Sequence, residues 1–579
     1  MVIERLLNLF VAVVVVLFLC WPYSLPSTGL MSIIRRLIIW AAYGPRAVLT
    51  AQPQLDDQAR QPIPVTGMTT GINNRTGERP ARQEINILQN EGGPPWDLYI
   101  QGLAALQNKT ETDELSHFSI AGIHGLPHAP FNGVGPVPGG SGGGFCPHGE
   151  TQFVSWHRPY VALFEQVLGA EVQRIAAQYS DHQNVSAYRD AGRVFRLPYW
   201  DWVLNPRLPP SCAQENITVN GPLGSLTIRN PLYSYRWQTY PLNQTQFPGS
   251  ANWPGETTRA SDGKSDFSLE VVNANIAAVA HQLRDQVYHT FANASTYDQM
   301  SSMADPAGIS FEASHNLIHN AVGGSFASID MTAFDSLFML HHTNLDRLAA
   351  VWAAIHPNAT YQSRSYSSGG LYAQARGENI TAESPVKPFY RADGKSFHTG
   401  ISVASLHPFG YTYPELTELG SQEKTKGREA VISRINALYG GNCSVDDTYL
   451  RGEEWFVKIT ANRSELELPC NIDVYVGGTF AGRMALLEMP THGLAHAEIP
   501  LQRAVRDLGS STTDRAATGR VLLQQLRVRI EKDNGFTTDA KNIASTELKL
   551  AAMDVIHRSS ESELIKYGNK SVYTGILLD

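Results

Sequence analysis

A pair of histidines four residues apart, followed by a histidine doublet, constrains this chain more than any other feature. The run Phe311–Arg347 reads FEASHNLIHNAVGGSFASIDMTAFDSLFMLHHTNLDR, with His315 and His319 in its first half and His341 and His342 in its second. On a helix, residues i and i+4 lie on one face, so both imidazoles of the first pair can address one ion. Glu312 and Asn316 fall near that face. Gly323 and Gly324 are a stop signal for this helix. A second helical segment is predicted over Met331–Trp352, carrying the doublet and, one turn on, Asp346. A third histidine from this segment would complete a three-imidazole metal site. A lone pair at this spacing is more often ordinary structure, and the upstream half of the chain tips the balance.

There His124 lies in FSIAGIHGLPH, ahead of a Gly/Pro loop at 132–144. The next segment, CPHGETQFVSWHRPYVALFEQVLGAEVQRIAAQY, places Phe153, His157, Tyr160, Phe164, Leu168, Val172 and Ile175 at intervals of three and four, which predicts an amphipathic helix. Cys146, His148 and His157 sit close together around its start. Neither histidine set has zinc-finger cysteines or the HExxH of a zinc protease. Imidazole-only ligation suits copper, zinc, iron or nickel, so ligand type does not choose the metal. Two matched sets, His124, His148, His157 and His315, His319, His342, suggest two ions handled as a pair.

The rest of the 579 residues sets the context. With 42% hydrophobic and 17% charged residues the chain is an ordinary folded protein. A net charge of −8 without a basic stripe speaks against a nucleic-acid partner. Residues 1–50 are a hydrophobic signal or anchor region. Within it, residues 6–22 carry no charge, and this run is close to the roughly 20 apolar residues that span a bilayer. Met31 is an alternative start. Eleven N-x-S/T sequons, from Asn74 to Asn569, point to the secretory pathway, with the chain either membrane-anchored or secreted. Residues 51–79 read as a polar linker, 80–416 as the helical region holding both histidine sets, and 417–430 as an exposed charged connector. From 431 to 579, segments such as CNIDVYVGGTFAG and VLLQQLRVRIEKDNG alternate apolar and polar residues, which predicts a β-sandwich. Cys443 and Cys470 lie in this same region and are candidates for a disulfide.

CPHGETQFVSWHRPYVALFE and AFDSLFMLHHTNLDR resemble the two copper signatures of the type-3 copper proteins, the tyrosinases, catechol oxidases and haemocyanins, and most of all the long fungal tyrosinases. The resemblance covers about Ala81–Leu416. It implies a mainly α catalytic domain, a helical bundle with irregular loops holding a dicopper site, and O2 as co-substrate. His124, His148 and His157 would hold one copper and His315, His319 and His342 the other, with His341 a non-ligand neighbour. Cys146 would form a thioether to His148, Phe338 would pack on a ligand ring, and Asp346 would orient ligands. Arg82, Tyr411 and Tyr413 resemble the elements that close the family's catalytic domain, whereas Ser336 stands where the family's second motif has proline. That departure predicts a changed start to the helix.

The implied activity is ortho-hydroxylation of small phenols and oxidation of o-diphenols to o-quinones, leading to melanin-type pigment. Glu312 and Asn316 would hold a water that takes the phenolic proton. A catechol oxidase, a haemocyanin-like O2 carrier and a zinc-binding structural module are the alternatives. In the long fungal tyrosinases the C-terminal domain covers the copper site until a protease cuts the connector, so an activating protease is an implied partner.

Overall fold

The long helices form where the apolar spacing predicts them, and their ends follow local chemistry. The computed structural model describes residues 61–573, apart from 141–142, 181–183, 265–266, 366–369, 421–423, 441–450, 509–513, 533–536 and 540–544. Helix α1 spans Gly93–Gln107 with proline in its first turn, where a missing N–H costs nothing. Helix α2 spans Phe153–Ala176 and packs on α1. Helix α3 spans Leu269–Asn293, with the Ser268 hydroxyl accepting from the Val271 amide at its start. Helix α4, Phe311–Val322, is capped by Ser310 and ends at Gly323, whose φ is 70°. A Cβ on Gly323 would lie 2.9 Å from that of Ala260, so both the backbone and the space require glycine here. Helix α5, Leu337–Ile355, is buried on nearly every face and packs on α2 and α4.

Helix α5 starts later than the predicted Met331. Residues Thr332–Phe334 form a separate 3-10 turn, and Asp335 is extended. The Asp335 carboxylate accepts the Leu337 amide at 3.0 Å and pairs with Arg259, breaking the helix there. Ser336 accepts a hydrogen bond from the Gln107 side chain at 2.8 Å.

Two further expectations need correction. Within the predicted linker 51–79, residues 62–68 are packed whereas 73–78 are exposed: Val65 and Met68 are buried, and the Val65 amide donates to the Tyr390 carbonyl at 2.8 Å. The Met68 carbonyl takes a hydrogen bond from buried Arg196 at 2.9 Å, so the polar composition reflects satisfied backbone rather than a solvated tether. The second half of the predicted connector 417–430 is the first turns of helix α6, Lys424–Tyr439. Lys426, Arg428, Glu429 and Arg434 are exposed along it, while Val431, Ile432, Ile435 and Tyr439 bury its inner face. The Tyr439 hydroxyl donates to Asp201 at 2.8 Å and accepts from Arg347 at 2.9 Å.

A buried polar cluster joins the ends of the helical region. Asp346 on α5 accepts from Arg82, from Arg158 on α2, and from the hydroxyls of Tyr411 and Tyr413, both at 2.6 Å. Arg82 also meets Glu165 of α2 at 2.9 Å and lies 3.5 Å above the Tyr411 ring. The site-orienting part expected of Asp346 is therefore corrected: its oxygens are taken up by cations and phenols, and it acts on the site by tying α2 to α5.

The C-terminal region is a sandwich of two four-stranded antiparallel sheets. Its strands are β1 (Arg451–Asn462), β2 (Cys470–Val476), β3 (Thr479–Leu486), β4 (Leu494–Pro500), β5 (Leu526–Lys532), β6 (Thr537–Asp539), β7 (Glu547–Ile556) and β8 (Lys566–Tyr573). The sheet orders are β4-β1-β7-β8 and β6-β5-β2-β3. The inner faces bury Val457, Ile459, Ile472, Val474, Val528 and Ile530, following the alternation of the sequence. Edge strand β4 is covered by the helical region: the His496 amide donates to the Met303 carbonyl and that of Glu498 to the Gly308 carbonyl, both at 2.8 Å. Cys470 is buried at the start of β2, and its predicted partner Cys443 lies outside the described residues.

Burial raises the Asp346 carboxyl, but Arg158 and Arg82 outweigh this and hold it below the ordinary carboxylate range. Its contribution to stability is thus complete at neutral pH and lost as pH falls through the folded value. Asp346→Asn takes the carboxylate from buried Arg158 and leaves Arg82 to Glu165 alone, and is expected to cost about 3–5 kcal/mol, read as a lower denaturant midpoint at neutral pH.

Candidate metal centre

The chain brings all six predicted histidines into one buried chamber. His157 comes from the second turn of α2, His315 and His319 from one face of α4, and His342 from α5. His124 and His148 come from loops. Each is at most 3% exposed. The rings of His124, His148 and His157 form a near-equilateral set, with centroids 5.3, 5.5 and 5.6 Å apart. In the second set His315 is 4.3 Å from His319 and 4.8 Å from His342. The sets abut, with His157 and His342 stacked at 4.2 Å. Phe338 lies between them, 4.1 Å from His342 and 4.8 Å from His124. One turn of α5 separates Phe338 from His342, which explains the contact.

Second partners fix how several rings point. The Nδ1 atoms of His124, His157 and His319 donate to the carbonyls of Ile329, Phe153 and Phe326, at 3.1, 2.7 and 2.7 Å. That of His315 donates to Asn316 Oδ1 at 2.8 Å. With the proton on Nδ1, each Nε2 presents a lone pair to the chamber. The Nε2 atoms of His315 and His319 nevertheless lie 2.9 Å apart, and His315 and His342 approach at 3.2 Å through the same atoms. Two lone pairs cannot hydrogen-bond to each other. A cation between them accounts for the arrangement, and the partnerless Nε2 of buried His124 and His148 fits the same role. Burial lowers every one of these imidazoles, His319 to about 4 and His157 to about 3, so they are neutral ligands at physiological pH. The donor set therefore fits two metal ions, each held by imidazole.

His341 belongs to the second group by distance, and both of its ring nitrogens lack partners. Its ring packs 4.8 Å from those of His315 and His319. Cys146 is buried in the first group, with Sγ 3.3 Å from His157 Nε2. His148, the thioether partner that the resemblance implies, has ring nitrogens in the same group within 4.8 Å.

Glu312 and Asn316 flank the second set; Asn316 holds the His315 ring, and both side chains have further partners. The Glu312 carboxylate accepts the amides of Gly149 at 2.5 Å and Met303 at 2.7 Å, and the Ser302 hydroxyl at 3.2 Å. Asn316 donates to the Ala485 carbonyl of β3 at 3.2 Å. Each side chain is thus held by its own protein partners in this covered arrangement. Burial raises the Glu312 carboxyl, with Arg463 of the sandwich and the three donors opposing.

Sequence reasoning missed what closes the chamber. Met489 and Pro490, on the loop between β3 and β4, line a remaining cavity of about 20 Å³ together with His124, Cys146, His148 and Ile329. That holds about one water and excludes an aromatic substrate. The turn residues of MPTHG between two strands were the only signal of a protruding loop.

These features define a class, and comparison with known proteins agrees with it. The fold is similar to that of recombinant mushroom tyrosinase, with a TM-score of 0.77 and 21% identity over 89% of this chain and 99% of that one. A variant of Aspergillus oryzae pro-tyrosinase superposes with a TM-score of 0.68 and 20% identity, covering 89% and 98%. Residues 114–355 match the family model described as the common central domain of tyrosinase. The tyrosinase of Podospora anserina is 32% identical over 414 residues, 66% of this chain and 69% of that protein. That of Neurospora crassa is 33% identical over 409 residues, 65% of this chain, which spans 58% of the Neurospora protein. The chain belongs to the tyrosinase family.

If each set holds one ion, His157→Gln and His319→Gln should each lower bound metal from about two ions per chain to about one. Elemental analysis after metal loading and desalting measures this. Loss of both ions from either variant would mean that the sets are not independent.

Proposed function

We propose that this chain is a copper-dependent tyrosinase that ortho-hydroxylates small phenols and oxidises o-diphenols to o-quinones, with melanin-type pigment as the downstream product. The observation that carries the reading is the pair of neutral imidazole sets facing each other across one chamber. His124, His148 and His157 would hold one copper, and His315, His319 and His342 the other. When bound, the pair supplies the activation of O2 and the acceptance of electrons from the phenol. The remaining steps fall to side chains. A phenol has a pKa of about 10, so a base must take its proton near neutral pH. Glu312 is the buried carboxylate nearest the second set in sequence, one turn before His315 on α4, and takes that part with Asn316 beside it. Phe338 fixes the His342 and His124 rings by packing, and would hold them against rotation as a substrate enters.

The covered chamber supports a latent form. Met489 and Pro490 occupy the side of the first histidine set, so the native cover keeps an aromatic substrate out while this loop stays in place. We place the activating cut in residues 417–430, between Glu415, which Arg347 holds at 2.6 Å, and the packed face of α6. Secretion, with or without anchoring through residues 6–22, is supported by the sequons. Among the ten whose asparagines are described, eight are exposed and two half-buried, so all reach solvent. No helix among the described residues is long and apolar enough to cross a membrane, and residues 6–22 lie outside them.

Copper-loaded protein cut in the connector should take up O2 with both tyrosine and a catechol. Uptake with the catechol alone would make it a catechol oxidase, and reversible O2 binding without turnover a carrier. In the uncut chain, Met489→Gly should raise catechol oxidation by about tenfold or more, since it removes a side chain that walls the cavity beside His124 and His148. No change would place the block elsewhere.

A further inference from the structure

The sandwich reaches past the copper chamber to the base itself. Arg463, immediately after β1, is buried; its Nη1 donates to the Leu494 carbonyl of β4 at 3.3 Å, and its charge acts on Glu312 and Glu150. It lies over Gly149, where an added Cβ would be 3.0 Å from Arg463 Nη1, and the Gly149 amide is one of the three donors to Glu312. Met303 is a second link. Its amide donates to Glu312 Oε2, and its carbonyl accepts the His496 amide of edge strand β4. The third is the Ala485 carbonyl of β3, which accepts from Asn316. All four oxygen and nitrogen atoms of the two side chains are thus engaged, and three of the links lead into the sandwich.

We propose that the covering sandwich restrains the Glu312–Asn316 pair directly, through Arg463, the Met303 strap and the Ala485 carbonyl, independently of the loop that fills the chamber. This inference rests on the tyrosinase reading above. The chain then carries two locks of different chemistry. The Met489–Pro490 loop blocks access by volume and acts on every substrate. The polar links keep Glu312 saturated with donors and beside a cation, and so act on the one substrate class that must lose a phenolic proton to a protein base before hydroxylation. Arg463 is a positioning residue in this arrangement: it acts through Glu312.

The test uses the full-length, uncut, copper-loaded chain. In Met489→Gly the chamber opens while the polar links stay, so catechol oxidation should appear with monophenol turnover held about tenfold or more below the monophenol-to-catechol ratio of the cut enzyme. Adding Arg463→Met should raise that ratio, and adding Arg463→Lys, which keeps the charge, should not. Hydrogen exchange gives a readout independent of turnover. Peptides carrying the Gly149 and Met303 amides should exchange about tenfold faster in Arg463→Met than in wild type or Arg463→Lys, while the Gly323 amide at the far end of α4 stays unchanged. A Met489→Gly variant with the same ratio as the cut enzyme, or unchanged exchange at Gly149 and Met303, would overturn the proposal. If neither substrate is oxidised by the cut enzyme, the tyrosinase reading fails and the exchange measurement still decides whether Arg463 orders the pair.

Discussion

The chamber depends on one buried carboxylate. Asp346 accepts from two guanidinium groups and two phenols, and through them holds four separated parts of the chain: residue 82, α2, α5 and the segment at 411–413. Desolvating these charges is costly, and the attraction between them offsets that cost only when every lone pair is used. Here the requirement doubles as a positional constraint. Arg158 follows His157, and Asp346 lies one turn beyond His342, so closing the ion pair sets the spacing of one ligand from each set. The ring stack of His157 on His342 at 4.2 Å is the visible result.

How much of this was legible in the sequence depends on the range of the interaction concerned. The helices carrying His157, His315 and His319 were readable because their evidence is local: apolar spacing, the i,i+4 histidine pair and a glycine stop. So was the alternation of the sandwich strands. The start of α5 was misplaced because Asp335 spends its carboxylate on Arg259, far away in sequence. The linker and connector were misread for a related reason. A polar segment can be solvated or can be saturated by buried partners, and composition does not distinguish Met68 beside Arg196 from a free tether. The identity of the filling loop had no local signature, since a methionine and a proline acquire meaning only from the cavity they enter.

The two histidine sets also show why burial and ligation support each other here. Removing six imidazoles from water forces them into the neutral form, which is the form that binds metal. It also leaves lone pairs with no proton between them, as at His315 and His319. Such a chamber is strained without a cation, so part of the metal's binding energy is stability of the fold. The carbonyls that hold Nδ1 of His124, His157 and His319 set this up in advance, because they choose which nitrogen is left free.

The same logic explains why the cover has to be large. A loop that merely narrowed the chamber to about 20 Å³ could be carried by a short hairpin. The sandwich instead lends its edge strand to the 303–308 segment and sends a charged side chain towards Glu312. Edge pairing hides a row of amides that would otherwise invite aggregation, and it ties the geometry of the Met303 amide to the presence of the second domain. Covering the edge and holding Glu312 are then one structural act: the contact that makes the sandwich safe in solution is also a contact through which it reaches that carboxylate.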